Sequence, residues 1–143
     1  MSFPVNSTSV ETAPIKRAMA CLQRAAIEQK IASAGVFVCK KIVGSNSWSQ
    51  HAFGNAADIF PKPNSQPSYV QKELRDIANA VVYQATHKTK ANRLRKLAVA
   101  EVIDHDAGRI WTPAGGWGPY SGTKGPHIHV SGKPLKTGTP ACA

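Results

Sequence analysis

Three of the five histidines fall in two short motifs whose spacing suits metal chemistry. The first is Ser49-Gln50-His51-Ala52-Phe53-Gly54-Asn55-Ala56-Ala57-Asp58. A neutral imidazole and a carboxylate are a natural pair of zinc ligands, and Gly54 between them lets the chain turn so that both face one point. The second is Gly125-Pro126-His127-Ile128-His129-Val130. On a strand, residues i and i+2 project from the same face. His127 and His129 therefore emerge side by side, while Ile128 and Val130 point into a core.

Two histidines and one carboxylate leave Zn²⁺ with a fourth position for water. That open set is the catalytic kind, because a structural site is closed by four protein ligands. Such an ion lowers the pKa of water to roughly 7 and polarises a carbonyl oxygen. Hydrolysis also needs a base, and His127, adjacent to a ligand, is placed for that work. A His-x-His pair alone is a weak signal. The two motifs together are stronger, since each supplies what the other lacks. His87 and His105 take blander readings: His87 ends a helix, where a cation is favourable, and His105 lies in a turn beside two aspartates.

Several elements must position these residues. Thr12 can cap a helix with Pro14 in its first turn and Ile15, Ala18, Met19, Leu22, Ala25 and Ala26 at helical spacing, ending at Gly35. Val36 to Val43 reads as a strand, and a polar loop follows to Trp48. Ala56 to Phe60 is a second short strand, stopped by Pro61 and Pro63. Ser68 and Gln71 make a capping-box pattern for a helix lined by Val70, Leu74, Ile77, Val81 and Ala85. The basic run from His87 to Lys96 reads as a solvated connection or short helix, with a docking patch for an anionic polymer as the alternative. Leu97 to Ile103 and Arg109 to Thr112 read as a hairpin around Asp106-Ala107-Gly108. The Gly-rich run Gly115 to Gly122 reads as loop, and His127 to Ser131 as a last strand. Residues 1–11 are expected to be poorly ordered and 134–143 to form a tail. The expected fold is α+β: one domain, with a small, mostly antiparallel sheet carrying the site and two main helices packed on it.

The 143 residues suit a single domain with its own core. Apolar content of 42% against 18% charged excludes a disordered chain. No apolar stretch approaches the ~20 residues of a membrane span. The N-terminus lacks a basic region followed by an apolar one, so no secretory signal is expected. Eighteen Lys and Arg against eight Asp and Glu give a net charge of +10, which favours an anionic partner. Cys21, Cys39 and Cys142 are read as buried free thiols in preference to a disulfide, and their spacing does not match a zinc ribbon.

Ser49-x-His51-x-x-Gly54-x-Ala56-x-Asp58, followed far downstream by His127-x-His129, resembles the superfamily of zinc D-alanyl-D-alanine carboxypeptidases and L-alanyl-D-glutamate endopeptidases, whose fold is shared with hedgehog signalling domains. Glu101-Val102-Ile103, Arg109-Ile110-Trp111, Gly116-Trp117, Pro119-Tyr120 and Pro126 to Ser131 are similar to peptidase domains of actinobacterial wall enzymes and of endolysins of their phages. The resemblance spans roughly residues 15 to 133 and is dense in about a third of them.

It implies one zinc per chain, held by His51, Asp58 and His129, and a peptidoglycan peptide as substrate. Many members carry an acidic base three residues before the last histidine. Pro126 stands there in this chain, so the base role falls on His127. Ser49 is expected to support the ligands by hydrogen bonding. Arg109, Trp111, Trp117 and Tyr120 are candidates for the cleft wall, with Tyr120 able to donate to an oxyanion. The resemblance also implies a phage lysis or virion-associated enzyme, made in the cytoplasm and carried to the wall by a holin or an infecting particle. The expected partners are the peptide and an anionic wall polymer; no specific nucleic acid and no membrane is expected, and the protein is expected to be a monomer. The alternatives are a metal-dependent nuclease, favoured by charge and the His-x-His pair, and a non-catalytic zinc-stabilised binding domain.

Overall fold

A computed structural model describes residues 3–6, 10–42, 44–122 and 125–143. Residues 1, 2 and 7–9 of the expected disordered start, and Val43 at the end of one expected strand, lie outside the described residues. The architecture is α+β. A seven-stranded sheet runs in the order β1-β2-β3-β7-β4-β5-β6. Its strands are β1 (Val5–Asn6), β2 (Ile31–Gly35), β3 (Ala56–Pro61), β4 (Val99–Asp104), β5 (Arg109–Thr112), β6 (Gly116–Pro119) and β7 (Ile128–Gly132). The β1–β2 pair is parallel and the remaining pairs are antiparallel. The sheet is thus larger than the small one expected.

Two helices, α1 (Ala13–Leu22) and α2 (Pro67–Thr86), bury one stripe each. Ile15, Ala18, Met19 and Leu22 of α1 and Leu74, Ile77 and Val81 of α2 share a core with Ile128 and Val130 of β7. Fully burying such side chains contributes about 1.5–3 kcal/mol each. Because strand side chains alternate, the core takes one face of β7 and leaves the other for His127 and His129.

Helix α1 is shorter than its sequence pattern. It stops at Leu22, and a 3-10 turn over Ala26–Lys30 leads directly into β2. Ladder pairing of residues 31–35 with β3 and β1 overrides the helix preference of this Ala-rich stretch. The expected strand from Val36 accordingly lies five residues too late. A register shift between Ile31 and Ser33 disturbs the alternation that would have revealed β2.

Thr12 does sit at the N-cap of α1 with Pro14 in the first turn, but its side chain makes no cap bond. Its hydroxyl donates to Asn55 Oδ1 at 2.9 Å. The capping box also fails. Gln66 is the N-cap of α2 and Pro67 opens the helix, its fixed φ suiting the first position. The expected hairpin forms, with Asp104 Oδ1 accepting from the backbone N–H groups of Asp106 and Ala107.

Three further expectations are corrected. Gly116–Pro119 is an edge strand, with Trp117 paired to Trp111 of β5. Part of the start of the chain is fastened: Phe3 is buried and Val5 pairs with Ala34. Cys39 and Cys142 form a disulfide, so of the three thiols only Cys21 is free and buried. That bond ties down the C-terminal segment, which Gln50 also holds through two hydrogen bonds to the Lys136 backbone. Among the described residues, no helix is long and apolar enough to cross a membrane.

Candidate metal centre

His51 sits on a single 3-10 turn, Gln50–Phe53. Ser49 caps it, its hydroxyl accepting from the His51 N–H at 3.2 Å. Ser49 thus supports the backbone that presents His51 and does not bond the ring. The turn ends at Gly54 in the left-handed region, φ +67. Asn55 then anchors the join: its amide donates to Gln50 Oε1, Gly132 O and Pro134 O. The chain enters β3 and presents Asp58 directly across from His129 of β7.

Three donor atoms, from His51, Asp58 and His129, lie within 4.8 Å of one another. His51 Nε2 is 3.1 Å and His129 Nδ1 3.3 Å from Asp58 Oδ1. Each ring is held by its far nitrogen. His51 Nδ1 donates to the Val36 carbonyl at 2.7 Å. His129 Nε2 donates to Ser131 Oγ at 2.7 Å, and that hydroxyl donates to Glu101 Oε1 at 3.0 Å. In each ring the nitrogen facing Asp58 is thus the one that can bind a metal once its proton is displaced. This is how metal-binding imidazoles are oriented by their outer partners. Two imidazoles and a carboxylate, so arranged, fit a divalent metal ion of the zinc class.

The electrostatics agree with the donor set. Burial pushes the Asp58 carboxyl up, but hydrogen bonds from His129 and His51 and their charges outweigh it, holding Asp58 well below the usual carboxylate range. Burial lowers His51, yet the Asp58 bond and charge and the Val36 carbonyl leave it raised above an ordinary imidazole. His127 goes the other way. Burial lowers it, the Asp58 charge only partly opposes this, and His129 adds to the lowering.

His127 Nε2 is 3.6 Å from Asp58 Oδ1, beside the cluster whose three donors converge. His105, which sequence reading dismissed, stacks on His127 with ring centroids 4.5 Å apart and meets Tyr120 edge-on at 5.4 Å. All three line a cleft of about 150 Å³, together with His51, Asp58, His129, Glu101, Lys40 and Lys41.

Of the expected cleft residues, Tyr120 and Ser49 are in this wall; Arg109, Trp111 and Trp117 are not. Trp111 is buried in the core behind the sheet. Arg109 instead stacks its guanidinium on Trp117, 4.3 Å from the ring centroid. Sequence reading missed Glu101, Ser131 and His105. Ser131 had a signal: alternation along His127-Ile128-His129-Val130-Ser131 puts it on the face of the histidines. Glu101 pairs with Ser131 across β4 and β7, a register the sequence did not reveal.

Compared with family models, with curated proteins and with solved structures, the chain matches none.

Proposed function

We propose that the protein is a zinc peptidase that hydrolyses a peptide bond in bacterial peptidoglycan, with His51, Asp58 and His129 holding one zinc ion and a fold of the hedgehog and D-alanyl-D-alanine peptidase kind. The observation that carries the reading is the convergence of these three donors at a cleft that also contains His127. When bound, zinc supplies a Lewis acid that polarises a carbonyl and makes water a nucleophile near neutral pH. The remaining work belongs to side chains. His127 accepts the proton of the attacking water and returns it to the leaving amine, with His105 stacked behind it to fix the ring plane. Tyr120, in the cleft wall, supplies a hydroxyl to donate to the developing oxyanion. Lys40 and Lys41 bring positive charge to the cleft, which suits the carboxylates of an acidic stem peptide.

The sequence resemblance points to a phage lysis or virion-associated enzyme acting as a carboxypeptidase or an endopeptidase. The test is incubation of zinc-loaded protein with purified peptidoglycan, followed by mass spectrometry of the released peptides. Release of peptides with new termini at one bond, absent after chelation, is expected. Zinc-dependent DNA cleavage that vanishes in His129→Ala, with no peptides released, would replace the peptidase by a nuclease.

A further inference from the structure

A second groove lies beside the first helix and shares no lining residue with the metal cleft. Its wall on one side is α1, whose Lys16 and Arg17 point away from the buried stripe Ile15, Ala18, Met19 and Leu22. Arg24 follows just beyond the helix. The other wall is the segment after α2, with Arg93 and Arg95. The groove measures about 290 Å³, and among the described residues no Asp or Glu lines it. Five cations therefore face one hollow without a counter-charge in its walls.

The segment is built to hold that arrangement. Asn92 is buried and bonds three ways: its amide donates to Gln84 O and His87 O, both at 3.2 Å, and its oxygen accepts from Thr89 N at 2.7 Å. Arg24 donates to Ala91 O at 2.8 Å, tying the segment to α1 across the groove. Arg93 and Leu94 both take φ +58, a region that side chains other than glycine rarely adopt. Strained backbone of this kind persists only where surrounding contacts over-determine it, and it clusters at binding sites.

We infer that this groove binds a polyanionic wall polymer of the polyol-phosphate class, with Lys16, Arg17, Arg93 and Arg95 on its phosphates. Guanidinium groups match phosphate oxygens in pairs. Among the described residues no aromatic side chain lines the groove, so these walls lack the stacking platforms that single-stranded nucleic acid uses. The choice of a wall polymer rests on the peptidase reading; the charge geometry does not. Because the two hollows share no lining residue, a polymer bound here leaves the metal cleft open to the peptide.

The test uses the full chain and three probes: poly(glycerol phosphate), a thymidine oligonucleotide of equal phosphate number, and a soluble stem peptide. The variant Arg17→Gln/Arg93→Asn/Arg95→Gln is compared with Lys62→Gln/Lys133→Gln/Lys136→Gln, which removes the same charge elsewhere. Asn at 93 tolerates positive φ. The groove variant should lose at least about tenfold in affinity for poly(glycerol phosphate), and its log–log salt slope should fall by about two to three. The control variant should stay within about twofold of the parent. Equal losses in the two variants would reduce the effect to net charge and overturn the site. Tighter binding of the oligonucleotide than of poly(glycerol phosphate) would assign the groove to nucleic acid and overturn the ligand. Stem-peptide cleavage, read separately, tests the peptidase: its absence alongside groove-dependent polymer binding would sink that reading and leave the site standing.

Discussion

Glu101 holds His129 through one hydroxyl: Ser131 Oγ lies 2.7 Å from His129 Nε2 and 3.0 Å from Glu101 Oε1. The relay crosses two paired strands, so ring orientation is set by the β4–β7 register. Ser131→Ala or Glu101→Gln should weaken zinc affinity by about 10- to 100-fold while leaving the fold intact. Zinc titration against a chelator of known affinity measures this. An unchanged affinity in both variants would mean the relay does not orient the ring.

Removing a direct donor is more drastic. His51→Ala, Asp58→Ala and His129→Ala should each abolish stoichiometric zinc and activity together. Metal content after gel filtration is the readout, and a full equivalent of tightly held zinc in His129→Ala would refute the ligand set.

His127→Ala separates base from ligand. It should retain zinc and lose turnover by about 10² to 10⁴-fold, the usual worth of a positioned acid–base group. Zinc loss as large as in His129→Ala would make His127 a ligand.

The shifts at Asp58 and His51 set opposite pH limits on the metal-free protein. Asp58 is depressed, so its stabilisation is present above its unfolded value of about 4 and is lost as pH falls through the folded one. His51 is raised, so its stabilisation is complete below about 6.5 and is lost as pH rises through its folded value. His127 is lowered, so it penalises the fold as pH falls below about 6.5, and metal-free protein should therefore melt highest at about pH 6.5. Zinc must displace the His51 proton, so its affinity should climb above that pH with measurable proton release. A metal-free melting temperature that rises from pH 7 to 8 would contradict the His51 assignment.

Gly54 is tested by a single methyl. Its φ of +67 disfavours any side chain, and a Cβ there would run into the Val10 carbonyl. Left-handed strain alone costs on the order of 1–3 kcal/mol. Gly54→Ala should lower the denaturation midpoint and loosen zinc together, because the same turn carries His51.

The two motifs were legible because their chemistry is local. His51 and Asp58 share one turn and one strand, and the alternation around His129 needs only the period of a strand. What was hidden depends on partners distant in sequence. Nothing in Val36 announces that its carbonyl will fix the His51 tautomer. His105 reads as a turn residue until the hairpin brings it onto His127. The Ala-rich stretch before Gly35 has helical composition, and only pairing with β3 makes part of it a strand. Cys39 and Cys142 lie 103 residues apart, a distance over which spacing says nothing about pairing.

That same bond makes a covalent ring of residues 39 to 142, and every member of the metal cluster lies on it. The exposed stretch 62–66 separates His51 and Asp58 from His129 along the chain. A protease that cuts there once opens the ring without producing two molecules. His51 and Asp58 on one piece and His129 on the other stay joined through Cys39 and Cys142, where a linear chain would part into two.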